Sequence, residues 1–234
     1  MSSINFIGGE KGGVGKSVVA RALAQYFIDK QKPFVGFDTD RSHNSFTRFY
    51  ADYASPVVVD SYEGLDQIAA CFEEESADDA QTSVIVDLAA QTAAPLAGWI
   101  KDSDLLSLLD EMGITVNFWH VADAGKDPVD LLDGLIEQYG AGPNYIIVKN
   151  FGRGSDFSEL DASAALETAR GLGARVISVP QLHESSMRKI DRQNTSFWAA
   201  INLRDRPEAL GLLERQRVKT WLKNTYAAFD ELPL

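Results

Sequence analysis

The residues with the clearest chemical pattern form one glycine-rich segment near the N-terminus. It reads Gly8-Gly9-Glu10-Lys11-Gly12-Gly13-Val14-Gly15-Lys16-Ser17 and stands between a predicted strand over Ile4–Gly8 and a predicted helix over residues 16–30. Glycines let the backbone curl so that successive N–H groups point inward. Together with the positive end of the helix, these donors make a cradle for phosphate groups.

The end of this segment predicts a P-loop that binds ATP or ADP with Mg²⁺. Lys16 would reach the β- and γ-phosphates, and the Ser17 hydroxyl would contact the metal ion. The predicted nucleotide-binding residues are Gly12, Gly13, Val14, Gly15, Lys16, Ser17 and Val18. The alternative is a glycine turn before an unrelated helix, which the strand–loop–helix context disfavours.

The strict pattern G-x-x-x-x-G-K-[ST] is not met, because Glu10 stands where its first glycine belongs. The segment instead matches Lys-Gly-Gly-x-Gly-Lys-[Ser/Thr], with a second lysine at Lys11. In this respect the chain resembles the ParA/MinD family of deviant Walker-A P-loop ATPases. The resemblance implies a nucleotide-dependent homodimer in which Lys11 reaches the partner's phosphates and acts in catalysis. Such a contribution in trans is comparable to an arginine finger. The alternative for Lys11 is an exposed loop lysine.

Three aspartates follow predicted strands and are candidates for the metal side of the site. Asp38 and Asp40 come after Phe34–Phe37, and Asp87 ends the Walker B candidate Ser83-Val84-Ile85-Val86-Asp87. Two carboxylates at one strand end favour a nearby cation. The family resemblance implies that Asp40 positions the attacking water and hydrated Mg²⁺, with Asp38 in support. The alternative is that one of them caps the following segment.

The residues after Asp87 depart from the family pattern, which continues with Thr-Pro-Pro. This chain has Leu88-Ala89-Ala90-Gln91-Thr92, so its second switch is altered.

A base site is predicted from two later segments. Asn150 ends the strand Tyr145–Lys149 and resembles the family's adenine-reading asparagine, which offers both a donor and an acceptor. Pro180 and Gln181 resemble the family's loop against the base. A turn asparagine and an ordinary strand-ending proline are the alternatives.

Predicted strands and predicted helices alternate along the chain, and together they must position these residues. Consecutive apolar residues, as in Val84–Val86, are typical of strands covered on both faces. The pattern predicts a doubly wound α/β fold with a mostly parallel sheet, in a single P-loop NTPase domain over residues 1–234. The predicted strands are Ile4–Gly8, Pro33–Phe37, Pro56–Val59, Ser83–Leu88, Ile114–Val121, Tyr145–Lys149 and Arg175–Val179. The predicted helices cover 16–30, 62–75, 92–110, 127–139, 158–172 and 207–229.

Composition limits the other function classes. The single cysteine, Cys71, excludes an intrachain disulfide framework and a cysteine cluster, and indicates a reducing cytoplasm. No apolar run has the length of a membrane span.

The charge is unevenly distributed along the chain. Residues 186–234 carry nine Lys/Arg and six Asp/Glu, a net charge of +3. The whole chain has a net charge of −12, so residues 1–185 carry −15. That split allows weak, sequence-independent DNA binding near the C-terminus, although a solvated polar face is the simpler interpretation.

Most of the chain also resembles the plasmid partition and mobilisation, or conjugal-transfer, branch of the ParA-like proteins. The resemblance lies in Leu108-Leu109-Asp110-Glu111-Met112-Gly113 and in Pro180-Gln181-Leu182-His183-Glu184 before a basic helix. It implies a cytoplasmic ATPase that works with a partner protein to position, stabilise or mobilise plasmid DNA or its transfer complex.

Competing hypotheses differ in what they require. A MinD-like membrane cycle needs a basic amphipathic tail, but residues 227–234 are acidic and contain a proline. Iron–sulfur relatives need several cysteines. A non-hydrolysing nucleotide switch that recruits a partner, and a metabolic ATP-dependent synthetase of the same fold, both stay open.

Overall fold

The computed structural model describes residues 2–73 and 81–234, and within them seven strands form one sheet. All neighbouring strands pair in parallel, in the order β3-β2-β4-β1-β5-β6-β7. The strands are β1 Ser3–Gly8, β2 Phe34–Asp38, β3 Ala54–Pro56, β4 Ser83–Asp87, β5 Thr115–Ala122, β6 Asn144–Asn150 and β7 Arg175–Val179. The predicted doubly wound α/β fold is confirmed, and the sheet is parallel throughout the described residues.

Helices cover both faces of this sheet. Every residue of β1 and β4 is buried, as expected for central strands with a hydrophobic core on each side. One core packs α1 and the C-terminal helices against the sheet, and the other packs the helices that follow β3, β4 and β5. The helices are α1 Lys16–Asp29, α2 Tyr62–Ala70, α3 Ala93–Asp102, α4 Leu105–Glu111, α5 Asp127–Tyr139, α6 Ser158–Asp161, α7 Ala164–Gly171, α8 Glu184–Gln193, α9 Phe197–Asn202 and α10 Leu212–Phe229.

Two predicted helices are each divided in the structure. The segment predicted over 92–110 breaks between α3 and α4, where Asp104 adopts a left-handed φ of 45° that aspartate tolerates better than most residues. The segment predicted over 158–172 breaks before Ser163, whose hydroxyl caps α7 by accepting the Leu166 N–H. A local side-chain cap thus replaces continuation of the helix.

Other boundaries also differ from the predictions. The third strand was predicted over Pro56–Val59 but runs over Ala54–Pro56, because its partner β2 ends at Asp38. Val57 and Val59 are nevertheless buried, which explains the apolar signal. The last helix begins at Leu212 rather than 207. The helix predicted over 62–75 ends at Ala70, and residues 74–75 of that prediction lie outside the described residues.

The strand register brings the candidate residues to one edge of the sheet. Asp87 pairs in register with Ile7 of β1 and with Asp38 of β2, and Gly8 pairs with His120 of β5. The loops after these strands therefore meet at the carboxyl edge, where ligands bind in such sheets. In the described part of the chain, none of the helices combines the length and the apolar character needed to cross a bilayer.

Candidate functional site

The phosphate loop is held in a form that only glycine can adopt at its last turn. Gly15 has a φ of 97°, and a Cβ there would lie 2.2 Å from the Asn150 side-chain nitrogen. The loop opens into a cleft of about 380 Å³. The predicted site residues that line this cleft are Gly12, Gly13, Gly15, Lys16, Ser17, Val18, Asp40 and Asp87. Val14 is instead buried beneath the loop.

Lys16 folds back over the loop rather than extending into solvent. Its ammonium donates to the Gly9 carbonyl at 2.7 Å and to the Lys11 carbonyl at 2.9 Å. Burial lowers the pKa of Lys16, while the nearby carboxylates, Asp87 first, act in the opposite direction. The cation is thus fixed at the concave side of the loop, where it faces the place for phosphate groups.

Asp87 is the most unusual polar group of the cleft. Its carboxylate is buried, and among the described residues neither oxygen has a hydrogen bond of full geometry, although the Ser17 hydroxyl lies close enough to affect its pKa. Burial raises the pKa of Asp87 to about 7, against the lowering effects of the Ser17 hydroxyl and of Lys16. A buried carboxylate without a partner is costly, so the arrangement suits a cation or an ordered water shell.

The oxygen groups at this end of the cleft fit Mg²⁺. They are the Ser17 hydroxyl and the carboxylates of Asp40 and Asp87, which are the hard ligands that Mg²⁺ prefers. No group of three or more His, Cys, Asp or Glu side chains that could hold a metal occurs among residues 2–73 and 81–234. Mg²⁺ usually takes one or two carboxylates together with phosphates and water.

Asp38 and Asp40 have different surroundings. One Asp38 oxygen accepts the Asp40 N–H at 3.0 Å, and the other accepts the N–H groups of Phe46 and Thr47 at 2.8 and 2.9 Å. Asp38 therefore holds the first switch loop and does not line the cleft, which favours the capping alternative over metal binding. Asp40 does line the cleft and pairs with His43 at 3.1 Å.

The altered second switch is held at both ends by residues that the sequence did not single out. The Thr39 hydroxyl accepts the Ala89 N–H at 2.7 Å. The Glu10 carboxylate accepts the Ala93 N–H at 2.9 Å, at the first residue of α3. The only sequence signal for this contact was the presence of Glu10 in place of the motif's first glycine.

Lys11 lies outside the cleft and pairs within its own chain. Its ammonium is 3.0 Å from a carboxylate oxygen of Asp123 and 3.0 Å from one of Asp127. These contacts, Asp127 first, raise the pKa of Lys11. The lysine is neither an unpaired loop residue nor directed at its own phosphate loop.

The predicted base-site residues do not line the phosphate-loop cleft. The Asn150 amide donates to the Val14 carbonyl at 2.7 Å and its oxygen accepts the Gly152 N–H at 3.0 Å, so the side chain supports the loop in this structure. Pro180 and Gln181 line a neighbouring cleft of about 310 Å³ under α10. Their contact with a base stays a prediction.

The comparisons with known proteins agree with this geometry. Two curated proteins named TraL, both from Escherichia coli, are 27% and 24% identical, each over 98% of both chains. Among solved structures, the MinD cell division protein of Aquifex aeolicus matches with a TM-score of 0.55 at 11% identity, over 97% of both chains. An ADP-bound nucleotide-binding protein of Archaeoglobus fulgidus matches with a TM-score of 0.51 at 16% identity, over 82% of this chain and 86% of that one.

These structural similarities support the fold. The family model of the CobQ/CobB/MinD/ParA nucleotide-binding domain matches residues 6–204, most of the chain. The chain belongs to the CobQ/CobB/MinD/ParA nucleotide-binding domain family.

Proposed function

We propose that this protein is an ATP-dependent, dimerising ATPase that positions, stabilises or mobilises plasmid DNA or its transfer complex. The observation that carries the proposal is the convergence of Lys16, Ser17, Asp40 and the buried Asp87 carboxylate on one cleft at the carboxyl edge of the sheet. Phosphoryl transfer is catalysed mainly by positioning and by stabilisation of charge, and this cleft offers both.

Each residue has a distinct part in the proposed reaction. The N–H groups of the loop hold the phosphates, and Lys16 supplies a positive charge from the concave side. Ser17 and Asp87 would hold Mg²⁺, which would neutralise charge on the phosphate oxygens. Asp40 would orient the attacking water from the first switch loop. Lys11 would act from the partner subunit.

The biological role is inferred from relatives. The TraL proteins align over nearly the full length of both chains, and one neighbouring structure is a MinC:MinD cell division protein complex from Aquifex aeolicus. By analogy we expect a second copy of the chain and a partner protein in the working assembly. The ATP requirement and the single cysteine favour a cytoplasmic location.

A second candidate is a metabolic synthetase of the same fold, and one feature favours it. A mainly apolar cavity of about 250 Å³ lies beside Glu10, walled by α3, α5 and the sheet. A substrate held there would stand next to the phosphate loop. A turnover screen of small molecules with ATP would reveal this activity.

A third candidate is a switch that binds nucleotide and recruits a partner with little hydrolysis. The altered residues 88–92 favour it.

Nucleotide binding is tested by calorimetric titration of ATP and ADP with Mg²⁺ into the parent protein and Lys16→Ala. We expect the variant to bind ATP at least about tenfold more weakly, because a charged contact to phosphate is lost. Lys101→Ala, an exposed lysine at the end of α3, serves as the matched control and should bind like the parent. Equal ATP affinity in Lys16→Ala and the parent would refute the assignment.

A further inference from the structure

Arg21 is a buried cation whose hydrogen-bonding capacity is mostly unused. Its side chain is 4% exposed, and one terminal nitrogen bonds Asp191 of α8 at 2.9 Å. Within residues 2–73 and 81–234, neither the other terminal nitrogen nor Nε has a hydrogen-bond partner. Buried nitrogens of a charged group normally donate hydrogen bonds. Two such nitrogens without an acceptor indicate that a ligand binds them.

Contacts with neighbouring side chains fix the orientation of the Arg21 guanidinium. The Arg21 guanidinium carbon lies 3.6 Å from the centre of the Phe49 ring and 5.1 Å from that of Phe197, so the planar group is held by contacts with two aromatic rings. Arg21 stands one turn after Ser17 on α1, and helical side chains lean toward the N-terminus of their helix. The guanidinium accordingly lines the same cleft as the phosphate loop.

Arg48 brings a second positive charge to this place. Its guanidinium carbon is 4.9 Å from the Phe49 ring, and the side chain lines the cleft. No ion pair is made by Arg48 with any carboxylate of the described residues. Burial lowers the pKa of Arg21, and Arg48 adds to this effect, whereas Asp191 opposes it. The Asp191 carboxylate is 44% exposed and is a single negative charge against two positive ones.

We propose that Arg21 and Arg48 form an anion subsite that takes a phosphate group, contiguous with the phosphate loop. Guanidinium groups present paired donors that match phosphate oxygens. The Ser45 and His43 side chains on the same wall of the cleft add further polar groups. The phosphate can come from the nucleotide itself or from a separate small phosphate-bearing molecule bound beside it. The subsite depends on the proposed function only in that the nucleotide occupies the adjoining part of the cleft.

A purely structural role for Arg21 does not account for the pair. An arginine with only a structural role would donate most of its hydrogen bonds to acceptors within the protein. It would also not require a second positively charged side chain, Arg48, beside it. The exposed Arg48 is therefore the informative position, because its replacement should leave the core intact. Arg41 offers a matched control, since it lies in the same loop, is exposed, and pairs with Asp60 outside the cleft.

The test compares the parent, Arg48→Gln and Arg41→Gln by calorimetric titration with ATP and ADP. It also measures thermal unfolding midpoints with and without inorganic phosphate, for the apo and ADP-loaded proteins. If the subsite holds a phosphate of the nucleotide, Arg48→Gln should weaken ATP or ADP binding by about tenfold or more, while Arg41→Gln changes it less than about twofold. Arg21→Lys, which keeps the charge but loses the paired donors, should show the same loss.

If the subsite holds a separate phosphate, nucleotide affinity should stay unchanged in Arg48→Gln. Inorganic phosphate should then raise the midpoint of the parent and of Arg41→Gln by more than that of Arg48→Gln, in which only the phosphate loop remains to bind it. The phosphate measurement on the apo protein does not involve nucleotide. If the parent binds no ATP, the proposed function is contradicted, but the phosphate measurement still tests the subsite. The subsite is refuted if Arg48→Gln matches Arg41→Gln in ATP, ADP and phosphate responses alike. Because Arg48 is exposed, that outcome does not depend on whether the Arg21→Lys variant folds.

Discussion

Lys11 and Asp127 form an ion pair at 3.0 Å within one chain, which joins the phosphate loop to the first residue of α5. An Asp123 carboxylate oxygen lies at the same distance from the Lys11 ammonium. The family resemblance requires Lys11 to reach the phosphates of a partner subunit. The proposed dimer would therefore require Lys11 to exchange two intrachain carboxylates for a phosphate of the partner subunit.

Asp40→Ala should separate ATP binding from ATP hydrolysis. Asp40 lies in the first switch loop and not in the phosphate loop, so its loss should change ATP affinity only slightly. Removal of a group that positions the water should slow phosphate release by about 10²- to 10⁴-fold. The measurement is ATP affinity and phosphate release for the parent, Asp40→Ala and Asp52→Ala, an exposed aspartate in a nearby turn. Normal hydrolysis by Asp40→Ala would show that the switch assignment is wrong.

Glu10→Ala should destabilise the protein by about 1 kcal/mol, because it removes a cap from the N-terminus of α3. The Thr92 side chain makes no cap bond there, so the Ala93 N–H depends on Glu10. Glu10→Gln keeps the acceptor oxygen and should lose less. Urea unfolding of both variants, with the exposed Glu137→Ala as a control, measures the difference. Equal midpoints for Glu10→Ala and Glu137→Ala would exclude the capping role.

His120 should make the folded state less stable in acid. Its ring is buried in β5, Nε2 donates to the Pro128 carbonyl at 2.8 Å, and burial lowers the pKa of His120 from 6.5 to about 4. The unfolded chain therefore binds more protons between these values. This contribution to stability is full above pH 6.5 and is lost as the pH falls through about 4, up to about 3 kcal/mol.

The measurement is the free energy of unfolding of the parent and of His120→Leu at several pH values from 7 to 4. Asp87, with its raised pKa, acts in the opposite direction, so only the difference between the two proteins isolates His120. The parent should lose stability relative to His120→Leu on acidification, whereas the exposed His183→Gln should follow the parent. A constant difference across this range would contradict the expectation.

DNA binding, if it occurs, should be weak and strongly dependent on salt. The basic residues of α8 already have carboxylate partners: Arg188 with Glu184, Lys189 with Glu214 and Arg192 with Glu208. We expect a dissociation constant weaker than about 10⁻⁶ M at physiological salt, improved by ATP, with affinity falling steeply as salt rises. Fluorescence anisotropy should show loss of binding when Arg188, Lys189, Arg192, Arg215, Arg217 and Lys219 are reversed in charge. Binding that is indifferent to salt or to these reversals would refute it.

The sequence predicts well those features that depend on a local residue pattern, such as single strands, single helices and the phosphate loop. Arg175–Val179 and residues 127–139 were placed with their observed bounds, and the phosphate loop followed from a short run of glycines before Lys16. Contacts between distant residues could not be predicted in this way. Asp123 lies 112 residues from Lys11, and Ala93 lies 83 residues from Glu10. Asp38 was expected near the metal because strand-ending aspartates look alike in sequence, and only the loop geometry shows its backbone partners.

The most direct test is light scattering of the protein with ATP, with ADP and without nucleotide. We expect a 25.6 kDa monomer without nucleotide and with ADP, and twice that mass with ATP. Asp40→Ala should accumulate as the ATP-bound dimer, whereas Lys11→Ala should bind ATP and stay monomeric. If Lys11→Ala dimerises on ATP as the parent does, Lys11 does not act across an interface, and the proposed ParA-like mechanism is contradicted even though the phosphate loop stands.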